Sequence, residues 1–135
     1  MALPNGAGGY QLGDGNLTEA VMGVQTIPAT LTGDTTLTAD QVVIGLVVCN
    51  KGSDATLTVT LPTAALLDVA VPSAKIGSSF ELTICNNNNS GASSTVPVTA
   101  GTGITIFGSV TVGRFSAHTY RFVRTGDAAY SAFLL

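Results

Sequence analysis

Ala55-Thr56-Leu57-Thr58-Val59-Thr60-Leu61 is the stretch that decides the fold class. Apolar residues take every second position and threonines the others, the period of a strand with one buried face. Threonine is β-branched, so it stiffens extended backbone while its hydroxyl stays compatible with water. Outward from this stretch the same signal recurs at 25–31, 45–49, 79–85, 95–99, 104–107, 114–123 and 129–134. The last two flank Arg124-Thr125-Gly126-Asp127-Ala128, a short turn, and are expected to form a closing hairpin. Many short strands punctuated by Gly, Pro and Asn point to an all-β domain of β-sandwich or jelly-roll-like architecture over 24–135.

Two segments interrupt the pattern. Thr38-Ala39-Asp40-Gln41-Val42-Val43 opens on a capping Thr, and Pro62-Thr63-Ala64-Ala65-Leu66-Leu67-Asp68 opens on Pro, which is favoured at the first helical position. Each is expected to make a very short helix crossing between sheets. Leu46-Val47-Val48-Cys49-Asn50 and Leu82-Thr83-Ile84-Cys85-Asn86 echo each other, each ending a strand and running into a polar loop. The pair reads as one hairpin geometry used twice, since a repeat array needs roughly three or more copies. Asn86-Asn87-Asn88-Asn89-Ser90-Gly91 reads as a solvent-exposed loop tip, because Asn and Gly tolerate positive φ.

Residues 1–23 differ from the rest. Asn5-Gly6-Ala7-Gly8-Gly9-Tyr10 and Gly13-Asp14-Gly15-Asn16 are too rich in glycine to hold a helix or strand alone. The segment is expected to be an extended arm that orders against a partner surface through spaced anchors: Leu3, Pro4, Tyr10, Leu12 and Leu17, with Val21 and Met22 behind them.

Composition narrows the function classes. Hydrophobic residues make up 45% of the 135-residue chain and charged residues 10%, against roughly 25% charged in ordinary globular domains. Such a surface packs on other subunits with little desolvation of charge. A net charge of −3 with five Lys and Arg gives no basic face for nucleic acid. Arg121 shares a strand face with position 119, and with Arg114 and Arg124 it reads as solvated or salt-bridged. No run approaches the ~20 apolar residues of a membrane helix. The opening Met-Ala-Leu-Pro-Asn-Gly lacks a signal-peptide pattern, so synthesis in a cytoplasm is expected. Cys49 and Cys85 read as small half-buried hydrophobes, with a single bridge between them as the sharper option.

No residue pattern nominates catalysis, a cofactor or a metal. His118 is the single histidine; it is read as a surface strand residue opposite the aromatic face. No Gly-x-Ser-x-Gly elbow occurs. Asp34, Asp40, Asp54 and Asp68 lack calcium-loop spacing and are expected in turns or caps. Gly101-Thr102-Gly103 precedes a strand, whereas a phosphate cradle needs a helix N-terminus. Phe115, Tyr120, Phe122, Tyr130 and Phe133 gather near the C-terminus and are expected in the core or at a subunit interface.

The opening Met1-Ala2-Leu3-Pro4-Asn5-Gly6-Ala7-Gly8-Gly9-Tyr10-Gln11-Leu12-Gly13-Asp14-Gly15-Asn16 resembles the start of small capsid decoration (cement) proteins of tailed bacteriophages, notably marine and cyanobacterial ones. Leu61–Asp68 and Gly77-Ser78-Ser79-Phe80 look like the middle of that family. Thr99–Gly103, Gly113-Arg114-Phe115 and Arg124–Tyr130 look like its end, with Tyr130 where the family commonly has Trp. The resemblance implies a homotrimer at three-fold sites on the outer surface of an expanded head, bound to the major capsid protein and stabilising the capsid. The alternative expectation is a head-fibre or adhesin module that binds host glycans through loop tips such as 86–91.

Overall fold

The computed structural model describes residues 22–135. The arm anchors Leu3, Pro4, Tyr10, Leu12, Leu17 and Val21 lie outside the described residues. Among the described residues the order is β1 (Thr30–Leu31), β2 (Thr35–Thr36), α1 (Ala39–Ile44), β3 (Leu46–Cys49), β4 (Val59–Thr60), α2 (Ala64–Ala70), β5 (Ser79–Asn86), β6 (Val96–Thr99), β7 (Ile104–Phe107), β8 (Thr111–Val112), β9 (Ser116–Gly126) and β10 (Ala129–Leu134). The strands form a larger sheet ordered β1-β3-β5-β9-β10-β7 and a smaller one ordered β2-β4-β6-β8. The chain is mainly β, with two short helices and mixed sheets.

The path is a winding rather than a string of hairpins. β1, β3 and β5 are parallel neighbours in the larger sheet, and β2, β4 and β6 are parallel neighbours in the smaller one. The chain therefore passes from one sheet to the other and returns one strand further on. Parallel neighbours need long crossovers, and α1 and α2 lie in the connections that lead back to β3 and β5. Backbone bonds join successive turns: Leu37 N–H donates to the Thr60 carbonyl and Leu61 N–H to the Thr99 carbonyl, both at 2.8 Å. The two Cys-Asn echoes are thus side by side, Leu46 opposite Thr83 and Cys49 opposite Asn86. That corrects their reading as two hairpins, and parallel pairing departs from the antiparallel strands of a jelly roll. Antiparallel β9 and β10 continue the larger sheet beyond β5, and β8 ends the smaller one; β9 and β10 make the expected closing hairpin.

Local chemistry accounts for the elements. Leu57, Val59 and Leu61 are buried while Thr56, Thr58 and Thr60 face outward, as the alternation requires, but only Val59–Thr60 of the strand expected at 55–61 is assigned to β4. In α1 the Thr38 side chain accepts from Gln41 N–H and the Gln41 side chain accepts from Thr38 N–H, a full capping box. Gly45, at φ 91°, closes the same helix in the left-handed region. α2 starts two residues later than its Pro suggested, because Thr63 takes the cap and its hydroxyl accepts from Leu66 N–H. The strand expected at 25–31 shrinks to β1: among the described residues Val24 and Ile27 are fully or nearly fully exposed.

One buried cluster draws on both sheets and both helices, with Leu82, Ile84 and Phe122 from one sheet, Val59, Val98 and Val112 from the other, and Val42 and Leu67 from α1 and α2. Gly101 lets two successive turns approach: a Cβ there would overlap the Pro62 carbonyl oxygen.

The register also separates the cysteines. Val48, not Cys49, lies opposite Cys85, so Cys49 faces the core and Cys85 the opposite side of the same sheet. Both are free. Burial, reinforced by the neighbouring Cys85, pushes the Cys49 thiol up to about 11. Native protein treated with a maleimide at neutral pH is therefore expected to take one label, at Cys85, and a second only after unfolding. Rapid double labelling of the folded protein contradicts this placement.

Candidate interaction surface

The five C-terminal aromatics divide. Tyr120, Phe122 and Tyr130 are at most 2% exposed and belong to the core, whereas Phe115 and Phe133 are 67% and 40% exposed. Even-numbered residues of β9 point inward because alternation carries each second side chain to the same face. His118 has that parity as well, which corrects its placement opposite the aromatics. Its Nδ1 lies 3.3 Å from Tyr120 Oη, and that hydroxyl donates to the Ser109 carbonyl at 2.8 Å.

Asp68, expected as an isolated turn or capping residue, is a hub. Its Oδ1 accepts from Arg124 Nε at 2.9 Å and Tyr130 Oη at 2.8 Å, and its Oδ2 accepts from Ala128 N–H at 2.7 Å. Arg124 also reaches Asp127 at 3.0 Å, and Arg124 and Tyr130 are cross-strand partners in the closing hairpin. The carboxylate thereby ties α2 to the β9–β10 turn, where Ala128 adopts a φ of 48°. Hydrogen bonds from Arg124, Ala128 and Tyr130 hold the Asp68 carboxyl well below its ordinary range. Burial, with Asp68 beside it, pushes the Tyr130 phenol up to about 12.

A depressed folded pKa gives stability that is present above the unfolded value, near 4, and is lost as pH falls toward the folded one. Urea midpoints of the native chain are expected to fall steeply below about pH 4. Those of Asp68→Asn should start lower and change less over the same interval. Parallel acid limbs for the two proteins contradict the assignment.

The loop 86–91 is not a free tip. Asn86 and Asn88 are 1% and 2% exposed. Asn86 Nδ2 donates to the Ser94 carbonyl at 2.8 Å and the Gly113 carbonyl at 3.0 Å, and its Oδ1 accepts from Asn88 N–H at 3.1 Å. Asn88 Nδ2 in turn donates to the Ser53 carbonyl at 2.9 Å. The buried Ser94 carbonyl takes its partner from Asn86, while the Gly113 and Ser53 carbonyls also accept from Ser116 Oγ and Ala55 N–H; Asn87, Asn89 and Ser90 are exposed.

The surface that nothing covers among the described residues is the outer face of the larger sheet. The core and both helices occupy its inner side. Register places Glu81, Arg121, Phe133 and Phe107 in one row across β5, β9, β10 and β7. Arg121 pairs with Glu81 at 2.6 Å, and the two rings stack with centroids 5.0 Å apart and planes 11° from parallel. One row along, the Thr83 and Thr119 hydroxyls meet at 2.9 Å. Further rows bring Val48, Cys85 and Ala117 together, and Val123, Ser131 and Thr105. Apart from the Glu81–Arg121 pair, the residues in these rows are uncharged. Sequence reasoning named Phe133 and allowed a salt bridge for Arg121 but missed Phe107 and the partner Glu81, because cross-strand neighbours are invisible until register is known.

A second apolar feature is a hollow of about 120 Å3 beside β1, lined by Ile27, Pro28, Leu31, Ile44 and Leu46 among others. Among the described residues no helix is long and apolar enough to cross a membrane. In comparisons with known proteins, no family model matches the chain, and neither a curated protein nor a solved structure matches it.

Proposed function

We propose that this chain is a structural virion protein that binds the outer surface of a phage capsid and stabilises the expanded head. The observation that carries the reading is the open, almost uncharged sheet face, a form suited to lying against other protein rather than to chemistry. The low charge content of the chain and its resemblance to phage decoration proteins support the same conclusion. In this reading two sheets pack as a sandwich, three copies associate at three-fold sites, and the 1–23 arm reaches neighbouring major capsid subunits. Leu3, Pro4, Tyr10, Leu12 and Leu17 are the arm's contacts, and several arms acting together raise avidity without strong individual contacts. No enzymatic step, cofactor, nucleic acid or membrane takes part. The glycan-binding alternative would have to rest on the exposed Asn87, Asn89 and Ser90, because the Asn86 and Asn88 amides are engaged internally.

The test is binding to purified expanded heads that lack the protein. The full chain is expected to bind, and a chain deleted for 1–23 to keep its far-UV circular dichroism while losing the heads. Failure of the full chain to bind overturns the reading; normal binding by the truncated chain overturns the role of the arm.

A further inference from the structure

We infer that the outer face of the larger sheet, centred on the Glu81–Arg121 pair and the Phe107–Phe133 stack, is the surface through which copies of this chain associate with one another. The inference rests on the multi-copy reading above and names the partner of that face.

The first argument is charge. Glu81 and Arg121 are each about half exposed and lie side by side, so the face carries both signs with no net charge at its centre. Glu81 of one copy can therefore meet Arg121 of the next without like charges being brought together, whereas a partner carrying a single strong charge gains nothing from this face. The second argument is area. Five adjacent strands at about 4.8 Å spacing, with roughly six residues of rise at about 3.3 Å, span a plate of about 24 by 20 Å. Each copy commits about 500 Å2, so two plates meeting, or three splayed about one axis, bury on the order of 1,000–1,500 Å2 in all, which reaches the lower bound for a specific assembly. The third is composition. Phe107 and Phe133 are 49% and 40% exposed, and Leu135 beside them is 61% exposed. Sheet faces pack on one another through such side chains once polar neighbours are few and paired, and here the hydroxyls of Thr83 and Thr119 bond each other.

Sedimentation velocity on the full chain, over a range of concentrations, reads the result. The native chain is expected to be oligomeric, and Phe133→Lys, folded by circular dichroism, to sediment as a monomer at concentrations where the native chain does not. Thr119→Lys, an outward strand position that tolerates polar residues, serves if Phe133→Lys misfolds, with the same expected loss. Glu81→Arg or Arg121→Glu alone should weaken association at least tenfold, and the double swap should restore it. A native chain that is monomeric throughout overturns the inference, even if Phe133→Lys then fails to bind heads, since the face would belong to the capsid. Association unchanged in both lysine variants overturns it too. An oligomer that is lost in these variants, in a protein that never binds heads, leaves this inference standing and sinks the capsid reading instead.

Discussion

Replacing Asn86 with alanine is expected to remove about 2–4 kcal/mol of folding stability, from two buried backbone groups, the Ser94 carbonyl and the Asn88 N–H, losing partners at about 1–3 kcal/mol each. The side chain is 1% exposed. It bonds the carbonyls of Ser94 and Gly113 and the N–H of Asn88, and so fastens the end of β5 to the loops that lead into β6 and β9. Alanine leaves the Ser94 carbonyl and the Asn88 N–H without that partner, while the Gly113 carbonyl keeps the Ser116 hydroxyl at 3.1 Å, in a protein class whose total stability is about 5–15 kcal/mol. Asn89→Ala, three positions along on an exposed residue, is the control and should change stability by less than about 0.5 kcal/mol. Urea unfolding of the two variants gives the comparison. A loss below about 1 kcal/mol at Asn86 would mean that the loop carbonyls find other partners.

Phe122→Ala is the other large effect. Phe122 is 0% exposed, lies opposite Phe80 across β5 and β9, and stacks on it with centroids 5.2 Å apart. Truncating a buried aromatic loses its transfer energy and leaves a cavity, together about 3–5 kcal/mol. Phe122→Leu keeps most of the volume and should cost roughly 1–2 kcal/mol. Phe133→Ala, measured on dilute protein, should cost about 1 kcal/mol or less, because its ring is already part solvated. Equal losses at Phe122 and Phe133 would contradict the assignment of one to the core and the other to the open face.

Those two phenylalanines show what the sequence carries and what it does not. Alternation told which residues share a side: Leu57, Val59 and Leu61 turn inward as their spacing demands, and β7 and β10 have the bounds expected of them. Capping chemistry located α1 through Thr38, whereas α2 was signalled by Pro62 and its cap, Thr63, became visible only in the structure. Neighbour identity is a different quantity. The same period-two pattern serves a parallel winding and an antiparallel hairpin, so the Cys-Asn echoes could not announce that they lie side by side. The first turn of the winding contributes only Thr30–Leu31 and Thr35–Thr36, too short to stand out as a third copy. The Asp68 hub joins groups 56 to 62 residues apart, and the amide of Asn86 reaches 8 and 27 residues along the chain. Polar residues with partners that distant look the same in sequence as polar residues in water. The open face was half legible for the same reason: its lack of charge shows in composition, but the row from Glu81 to Phe107 exists only once four strands are in register.

The central claim is that the protein is a multi-copy capsid component, and its copy number measures that claim most directly. Quantitative mass spectrometry of virions purified from the phage that encodes this chain, scaled to the major capsid protein, is the measurement. The account predicts hundreds of copies in simple ratio to that protein. A handful of copies would instead indicate a fibre or adhesin, and absence from the virion would contradict the account altogether.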